Sequence, residues 1–376
     1  MTSEQGRECA RKTHRWSERT LERLSLGRFL ALFGTVVAGA GLGSAALASA
    51  RLDAAIDRLH EEMTLRALAR DDLTLPDRGT FAIAIKAHCR LLETRSPKSA
   101  LRAERMAWVD YSRPSTEKRL YLFDLERGEL LHQTYATHGV GSVPRVELSI
   151  KEGAGDQARS LSLIRYVRSR ETRFFSNRAG SNQSSVGAAI AEAQPYFSTT
   201  FHSLALRMNG VDPALNSNLL PRAVVFHAWG YTGEMARMGY LPSSQGCLMF
   251  PSSDTFEGAS DVDVNRLMIA ELERVPVYLY HPRLVDQALN EREYAADLLD
   301  YESLKEGLAS RIEEEGLQAR RRELETALER QWLKRAVETR AYFERGSKFI
   351  GREPEDESRC LSRLGYMPHS GLESRP

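Results

Sequence analysis

Cysteine is scarce: four residues in 376 are too few for a disulfide scaffold, and no Cys-x-x-Cys pair points to structural zinc. Net charge is nearly absent as well. Fifty-two Lys and Arg against 51 Asp and Glu leave +1, so the chain has no global field with which to hold a polyanion, and nucleic acid is not an expected partner. A charged fraction of 27% excludes a multi-pass membrane protein, and a hydrophobic fraction of 42% excludes a disordered chain. There is no internal repeat and no low-complexity tract. What remains is a folded protein of one large or two modest domains, able to bury roughly 70–75% of its unfolded surface.

Charge is also locally missing. Residues 1–28 carry Arg7, Arg11, Lys12, Arg15, Arg19, Arg23 and Arg28 against four Glu, and then Phe29 to Ala50 holds no charge at all. A basic head, an apolar stretch and small residues at Ala48 and Ala50 read as an export signal over 1–50, either cleaved or kept as a membrane anchor at 29–50. No consecutive Arg pair precedes the stretch, so the twin-arginine route is not supported. The expected location is the periplasm or cell envelope, free or anchored at the inner membrane.

Beyond this address, residues 51–80 read as a helical lead-in, with Leu52, Ile56, Leu59 and Met63 at helical spacing and a turn at Leu75-Pro76-Asp77. Strand patterns follow at Met106–Asp110 and Leu120–Leu125, and Arg127-Gly128 turns the chain into Leu130–Ala136 as a hairpin. Leu204–Met208, Ala223–His227 and Val275–Tyr280 read as further strands, with a helix over Asp261–Glu273. From residue 285 to 376 the composition shifts to 20 acidic and 16 basic residues. Leu304, Leu308 and Ile312, then Leu324, Leu328, Trp332 and Ala336, keep an i, i+4 rhythm, so a charged helical arm folding back on itself is expected, interrupted at Gly307 and Gly316.

Chemistry concentrates in two places. Ala223-Val224-Val225-Phe226-His227 is a short apolar strand ending in histidine, and Ser244-Gln245-Gly246-Cys247 follows twenty positions later. An imidazole can take the proton of a thiol that is otherwise mostly un-ionised at neutral pH. Gly246 permits close approach of backbone, so the amides of Gly246 and Cys247 are candidates to hold an oxyanion. On spacing alone, a structural Cys beside a core His is the commoner arrangement. His138, His202 and His281 read as turn, core or surface residues, Lys118-Arg119 as a solvated strand start, and no His, Asp or Glu set has metal spacing. Cys89 and Cys360 are the remaining pair that an oxidising compartment could join, and spacing does not decide whether they meet.

The chain also resembles a known family, the L,D-transpeptidases with a YkuD-type domain, in particular the murein L,D-transpeptidase branch. The resemblance runs from about Phe81 to Tyr280. Its segments are Asp110-Tyr111-Ser112-Arg113-Pro114, Thr137-His138-Gly139, Phe175-Ser176-Asn177, Gly180-Ser181-Asn182-Gln183-Ser184-Ser185-Val186-Gly187, Leu204-Ala205-Leu206, Asn216-Ser217-Asn218, Val225-Phe226-His227 and Ser244-x-Gly-Cys247. It implies an α+β fold: a β-rich sandwich or barrel at 81–284 with flanking helices, a charged helical extension at 285–376, and a 143–172 insertion that is either a lid or a solvated loop.

The implied chemistry is attack by Cys247 on a peptidoglycan stem tetrapeptide before its terminal D-alanine, with His227 as base. The thioester would then pass to an amine: a second stem, a protein lysine or a free D-amino acid. The family holds the other histidine nitrogen by a backbone carbonyl, which falls here on Ala228. Ser244 and Gln245 would support the nucleophile, and Ser184, Ser185 and Asn177 would contact substrate. No cofactor or metal is required, and carbapenems are expected to acylate the thiol. An L,D-carboxypeptidase, which uses water on the same thioester, and an inactive wall-binding module are the alternatives. The chain departs from the family at Gln245, often His, at Ala228, often Gly, and in lacking an Arg within Leu248-Met249-Phe250-Pro251.

Overall fold

A computed structural model describes residues 39–70, 73–95, 100–152, 159–166, 171–229, 243–252 and 261–363. Two compact units divide the chain at Ala45/Ala46. The first enters the described residues only as the opening turns of helix α1 (Gly39–Ala67), so the basic head and much of the uncharged stretch lie outside them. Among the described residues no helix is long and apolar enough to cross a membrane.

In the second unit α1 buries Leu52, Ile56, Leu59 and Met63, the stripe that its spacing predicts. The chain turns at Leu75–Asp77 into α2 (Arg78–Glu93), where the Asp77 carboxylate accepts the Thr80 amide at 3.0 Å as an N-cap. The two helices cover one side of a sheet, packing Phe81, Ile85 and Leu91 against Trp108, Tyr121, Phe123 and Tyr278.

The main sheet has the strand order β10-β9-β8-β6-β11-β1-β2-β3, with β7 alongside β8. Its strands are β1 (Arg105–Asp110), β2 (Lys118–Asp124), β3 (Glu129–Tyr135), β6 (Gly187–Ala191), β7 (Tyr196–Ser198), β8 (Ser203–Gly210), β9 (Val225–Trp229), β10 (Leu248–Pro251) and β11 (Pro276–Tyr280). β8 is shared along its length: Ala205 and Leu206 face β9, and Met208 to Gly210 face β6. The chain leaving β3 returns beside β10, where the Thr137 amide donates to Met249 O at 3.1 Å and the Ser244 amide to His138 O at 2.9 Å. The sheet therefore nearly closes on itself, and its interior holds Val109, Leu120, Leu122, Phe226, Leu248, Phe250 and Val277. This is the α+β, barrel-like class that the sequence predicts.

β6, β7 and β10 carry weak strand signals. β6 is Gly-Ala-Ala-Ile-Ala, poor in β-branched residues, yet small residues fit it: a Cβ on Gly187 would lie 3.1 Å from both Asn216 Nδ2 and Asp212. The 143–172 insertion contains an antiparallel hairpin, β4 (Arg145–Glu152) with β5 (Arg159–Tyr166).

The C-terminal residues form α3 (Asp261–Leu272) beside the sheet and then the arm: α4 (Gln287–Glu314), α5 (Arg321–Gln331), α6 (Leu333–Glu344) and α7 (Glu357–Arg363). Leu304, Leu308, Ile312, Leu324, Leu328, Trp332 and Ala336 form one apolar cluster with Val146, Leu148 and Phe174. Gly316 turns the chain at φ +67°, whereas α4 runs straight through Gly307. One helical glycine costs about 1 kcal/mol, and burial of Leu304, Leu308 and Ile312 on the same helix outweighs it. A buried ionic cluster docks the arm: Arg173 lies 2.7 Å from Asp297 and 2.9 Å from Asp300, while Arg283 lies 2.9 Å from Glu293. Burial pushes the Asp297 carboxyl up to about 6 despite the neighbouring Arg173 and Arg283.

Cys89 of α2 and Cys360 of α7 are joined as a disulfide, which ties the end of the arm to the start of the domain across 271 residues of sequence. Cys360→Ala is expected to lower stability by about 2–5 kcal/mol, because the unfolded chain loses a long covalent loop. Paired thermal melts with and without reductant check this. An unchanged midpoint on reduction would contradict it.

Candidate functional site

β9 and β10 run parallel, with Phe226 opposite Leu248 and His227 opposite Met249. Phe226, Ala228, Leu248 and Phe250 belong to the interior cluster. Side chains alternate across a strand, so His227, Met249 and, one step before β10, Cys247 share the other face. Adjacent parallel strands thus present a histidine and a cysteine on one side, although twenty residues separate them in sequence.

The turn before Cys247 is held by Ser244. Its hydroxyl accepts the Gly246 amide at 3.0 Å and donates to Cys247 O at 2.7 Å. Its main chain pairs with His138 and Val140, whose amide reaches Ser244 O at 2.7 Å. Gly246 has φ +122°, and a Cβ there would lie 3.0 Å from Arg222 Nη2 and 3.2 Å from Gln183 O. Both conformation and space demand glycine. The Gly246 amide, expected to face an oxyanion, donates here to Ser244 Oγ. Gln245 is exposed at the apex of the turn.

His227 is buried, and its Nδ1 lies 3.1 Å from Ala228 O. A carbonyl only accepts, so Nδ1 carries the proton and Nε2 keeps a lone pair. Ala228 thereby meets the requirement read from the family resemblance. Phe201 stacks on the imidazole with centroids 3.9 Å apart and planes at 9°, and Trp229 meets its edge at 6.4 Å. Burial pushes the imidazole down to about 4, and the bond to Ala228 offsets only part of that.

The Cys247 thiol is pushed up by burial, opposed by the Val225 amide and by the charge of Arg222. Thiol and imidazole are therefore both neutral at pH 7 in the free protein. Alkylation of Cys247 by iodoacetamide should rise through one transition above the ordinary thiol range near pH ~8.5. A rate already at its plateau by pH 7 would reveal a resting thiolate–imidazolium pair and overturn this.

The three residues that the resemblance offers for substrate contact hold backbone and neighbouring side chains. Ser184 and Ser185 are buried. Ser184 Oγ accepts the Gly139 amide at 3.0 Å, and Ser185 Oγ donates to Ser176 O at 3.0 Å. Asn177 spends its carboxamide on Ser217 Oγ and the Asn218 amide, each at 3.0 Å. These residues brace the segment beneath the Gly246 turn. Arg119, read as solvated, is fully buried. A register shift in the β2–β3 ladder between Lys118 and Leu120 frees it from regular alternation. It donates to Ala136 O, Arg113 O, Thr172 Oγ1 and His138 Nδ1 and lies 5.0 Å over the Tyr111 ring. The imidazole of His138 is pushed down to about 3 by burial and by Arg119, which suits a structural acceptor. Among the described residues no group of His, Cys, Asp or Glu is placed to hold a metal ion.

Sequence reasoning missed three residues here. Phe201 is one of many aromatics and carries no motif. Arg222 lies in the turn before β9, and its Nη1 donates to Ser176 O at 3.0 Å and Ser185 Oγ at 2.8 Å, while Nη2 donates to Gln183 O. Tyr342 comes from α6: its hydroxyl accepts the Val186 amide at 3.0 Å and donates to Leu215 O. No motif marks Arg222, although it lies only five residues before His227, and no local signal links Tyr342 to a site far away in sequence.

The site is thus a cysteine and a histidine carried on one face of neighbouring parallel strands in a barrel-like α+β domain. The family model for the L,D-transpeptidase catalytic domain matches residues 78–269, just over half of the chain, and the chain belongs to that family. No curated protein and no solved structure matches it significantly.

Proposed function

We propose that this is an exported peptidoglycan L,D-transpeptidase with Cys247 as nucleophile and His227 as base. The observation that carries the reading is the common face of Cys247 and His227 on parallel β9 and β10, with His227 Nδ1 pinned to Ala228 O and Nε2 left as acceptor. As Cys247 Sγ attacks the carbonyl that precedes the terminal D-alanine of a stem tetrapeptide, the thiol proton passes to His227 Nε2. The C–N bond then breaks, D-alanine leaves with that proton, and a thioester remains. An acceptor amine attacks the thioester, gives its proton to His227, and the thiol is restored by the same proton as the C–S bond breaks. The Cys247 amide, left over once Gly246 is bound to Ser244, is the donor of this turn assigned to the oxyanion.

The Cys89–Cys360 bridge supports work outside a reducing compartment, in keeping with the export signal read at 1–50. The test is mass spectrometry of tetrapeptide muropeptides incubated with the purified full chain. Cross-linked dimers lacking one D-alanine are expected. Tripeptide monomers alone would make the protein an L,D-carboxypeptidase, and recovery of unchanged tetrapeptide, with no acylated Cys247, would make it a binding module.

A further inference from the structure

We propose that Arg222 is a positioning residue for the nucleophile: held rigidly beneath the Gly246-Cys247 turn, it supplies the fixed positive charge that favours the Cys247 thiolate as it forms. The inference rests on Cys247 being the nucleophile and is independent of which acceptor is used.

Three hydrogen bonds fix the guanidinium in place. Nη1 is committed to Ser176 O and Ser185 Oγ, Nη2 to Gln183 O, and the side chain is half-buried under the turn. Nη2 lies 3.0 Å from the point where a Gly246 side chain would begin, which sets the charge directly against the backbone that carries the thiol. All three acceptors are neutral, and among the described residues no carboxylate is paired with Arg222. Burying a cation without a counter-charge is unfavourable, and burial does depress this guanidinium.

Among the described residues the titratable groups acting on it are Tyr342, Cys247 and Tyr111, with Arg119 beside Tyr111 and His227 on the same strand face as Cys247. Burial raises both tyrosine hydroxyls, so they stay neutral near pH 7. His227 is neutral there, and Arg119 is a like charge already satisfied by four acceptors. Among the described residues Cys247 is then the neighbour whose ionisation compensates Arg222. No arginine stands in Leu248–Pro251 to contribute charge from the other side of the thiol.

Below its midpoint, the alkylation rate of a thiol follows its thiolate fraction, so the rate at fixed pH reads the charge effect. Arg222→Gln should slow iodoacetamide labelling of Cys247 at pH 8 by roughly 3- to 10-fold, the low end of what a nearby opposite charge does to a pKa. Arg222→Lys, which keeps the charge and loses the fork, should stay within about 2-fold while its melting point falls. Peptide mapping with Cys247→Ala as the blank assigns the label. If Arg222 merely braces the loop, folded Arg222→Gln labels at the wild-type rate and the proposal fails. A second readout needs no neutral variant. The Arg222 guanidinium NMR signal, assigned by its loss in Arg222→Lys, should shift with pH at the Cys247 midpoint and stop shifting once the thiol is blocked with a methylthio group. A signal that does not follow the thiol overturns the proposal. Because both readouts are titrations of Cys247, they fail or hold separately from peptidoglycan turnover.

Discussion

Folded Cys247→Ala is expected to lose all covalent labelling by a carbapenem and all stem-peptide turnover, with no residual slow phase. Cys89 and Cys360 are consumed as a disulfide, and Cys247 is the free thiol among the described residues. No second described thiol can stand in. His227→Ala should slow acylation by roughly 10²–10⁴, the usual contribution of a positioned general base. Its deficit should shrink only at alkaline pH, because burial holds the Cys247 thiol above its ordinary range and the thiolate is scarce at neutrality without help. Stopped-flow acylation across pH 6–10, with circular dichroism to show that both variants are folded, checks this. Turnover in folded Cys247→Ala, or an adduct mapped to another residue, would remove the assignment.

A chain ended at Leu284 is expected not to fold into an active domain. Its charge and helical rhythm mark residues 285–376 as an extension that could be cut away with the chemistry intact, and the packing argues otherwise. Tyr342 and Phe343 sit in the same interior cluster as Phe226 and Leu248, and Trp332 is buried against Phe174 at 5.4 Å. Thr339 Oγ1 accepts the Phe175 amide at 3.2 Å, and Tyr342 holds Val186, next to the Ser185 that binds Arg222. Loss of one such aromatic costs about 3–5 kcal/mol, against a total stability of about 5–15 kcal/mol. Deleting Trp332 and Phe343 together removes most or all of that margin before the ionic cluster around Arg173 is counted. Expression of the truncated chain, followed by thermal melts and thiol labelling, tests it. A soluble, cooperatively melting and acylable product would show the arm to be dispensable.

Much of the fold was legible in local pattern. The stripe on α1, the turn at Leu75–Asp77, the β2–β3 hairpin and the arm's i, i+4 rhythm are short-range signals, and each meets its expected element. β6 was illegible because close approach of Asp212 and Asn216 selects small residues over strand formers, and Arg119 because a bulge in its ladder reverses the expected side.

The site divides in the same way. The candidate residues were nameable from the chain: spacing offers a strand-terminal His227 and a Gly-Cys247 turn, and the family resemblance singles them out and adds the carbonyl of Ala228. The hydrogen-bond partners of Ser184, Ser185, Asn177 and the Gly246 amide were not readable, because whether a polar group meets neighbouring backbone depends on what packs over it. Only the folded chain decides that the disulfide closes, that α6 reaches Val186 and that Arg222 lies beside Gly246. The partners in each case are far apart in sequence, and no local preference encodes a contact that exists only once the sheet has closed and the arm has docked on it.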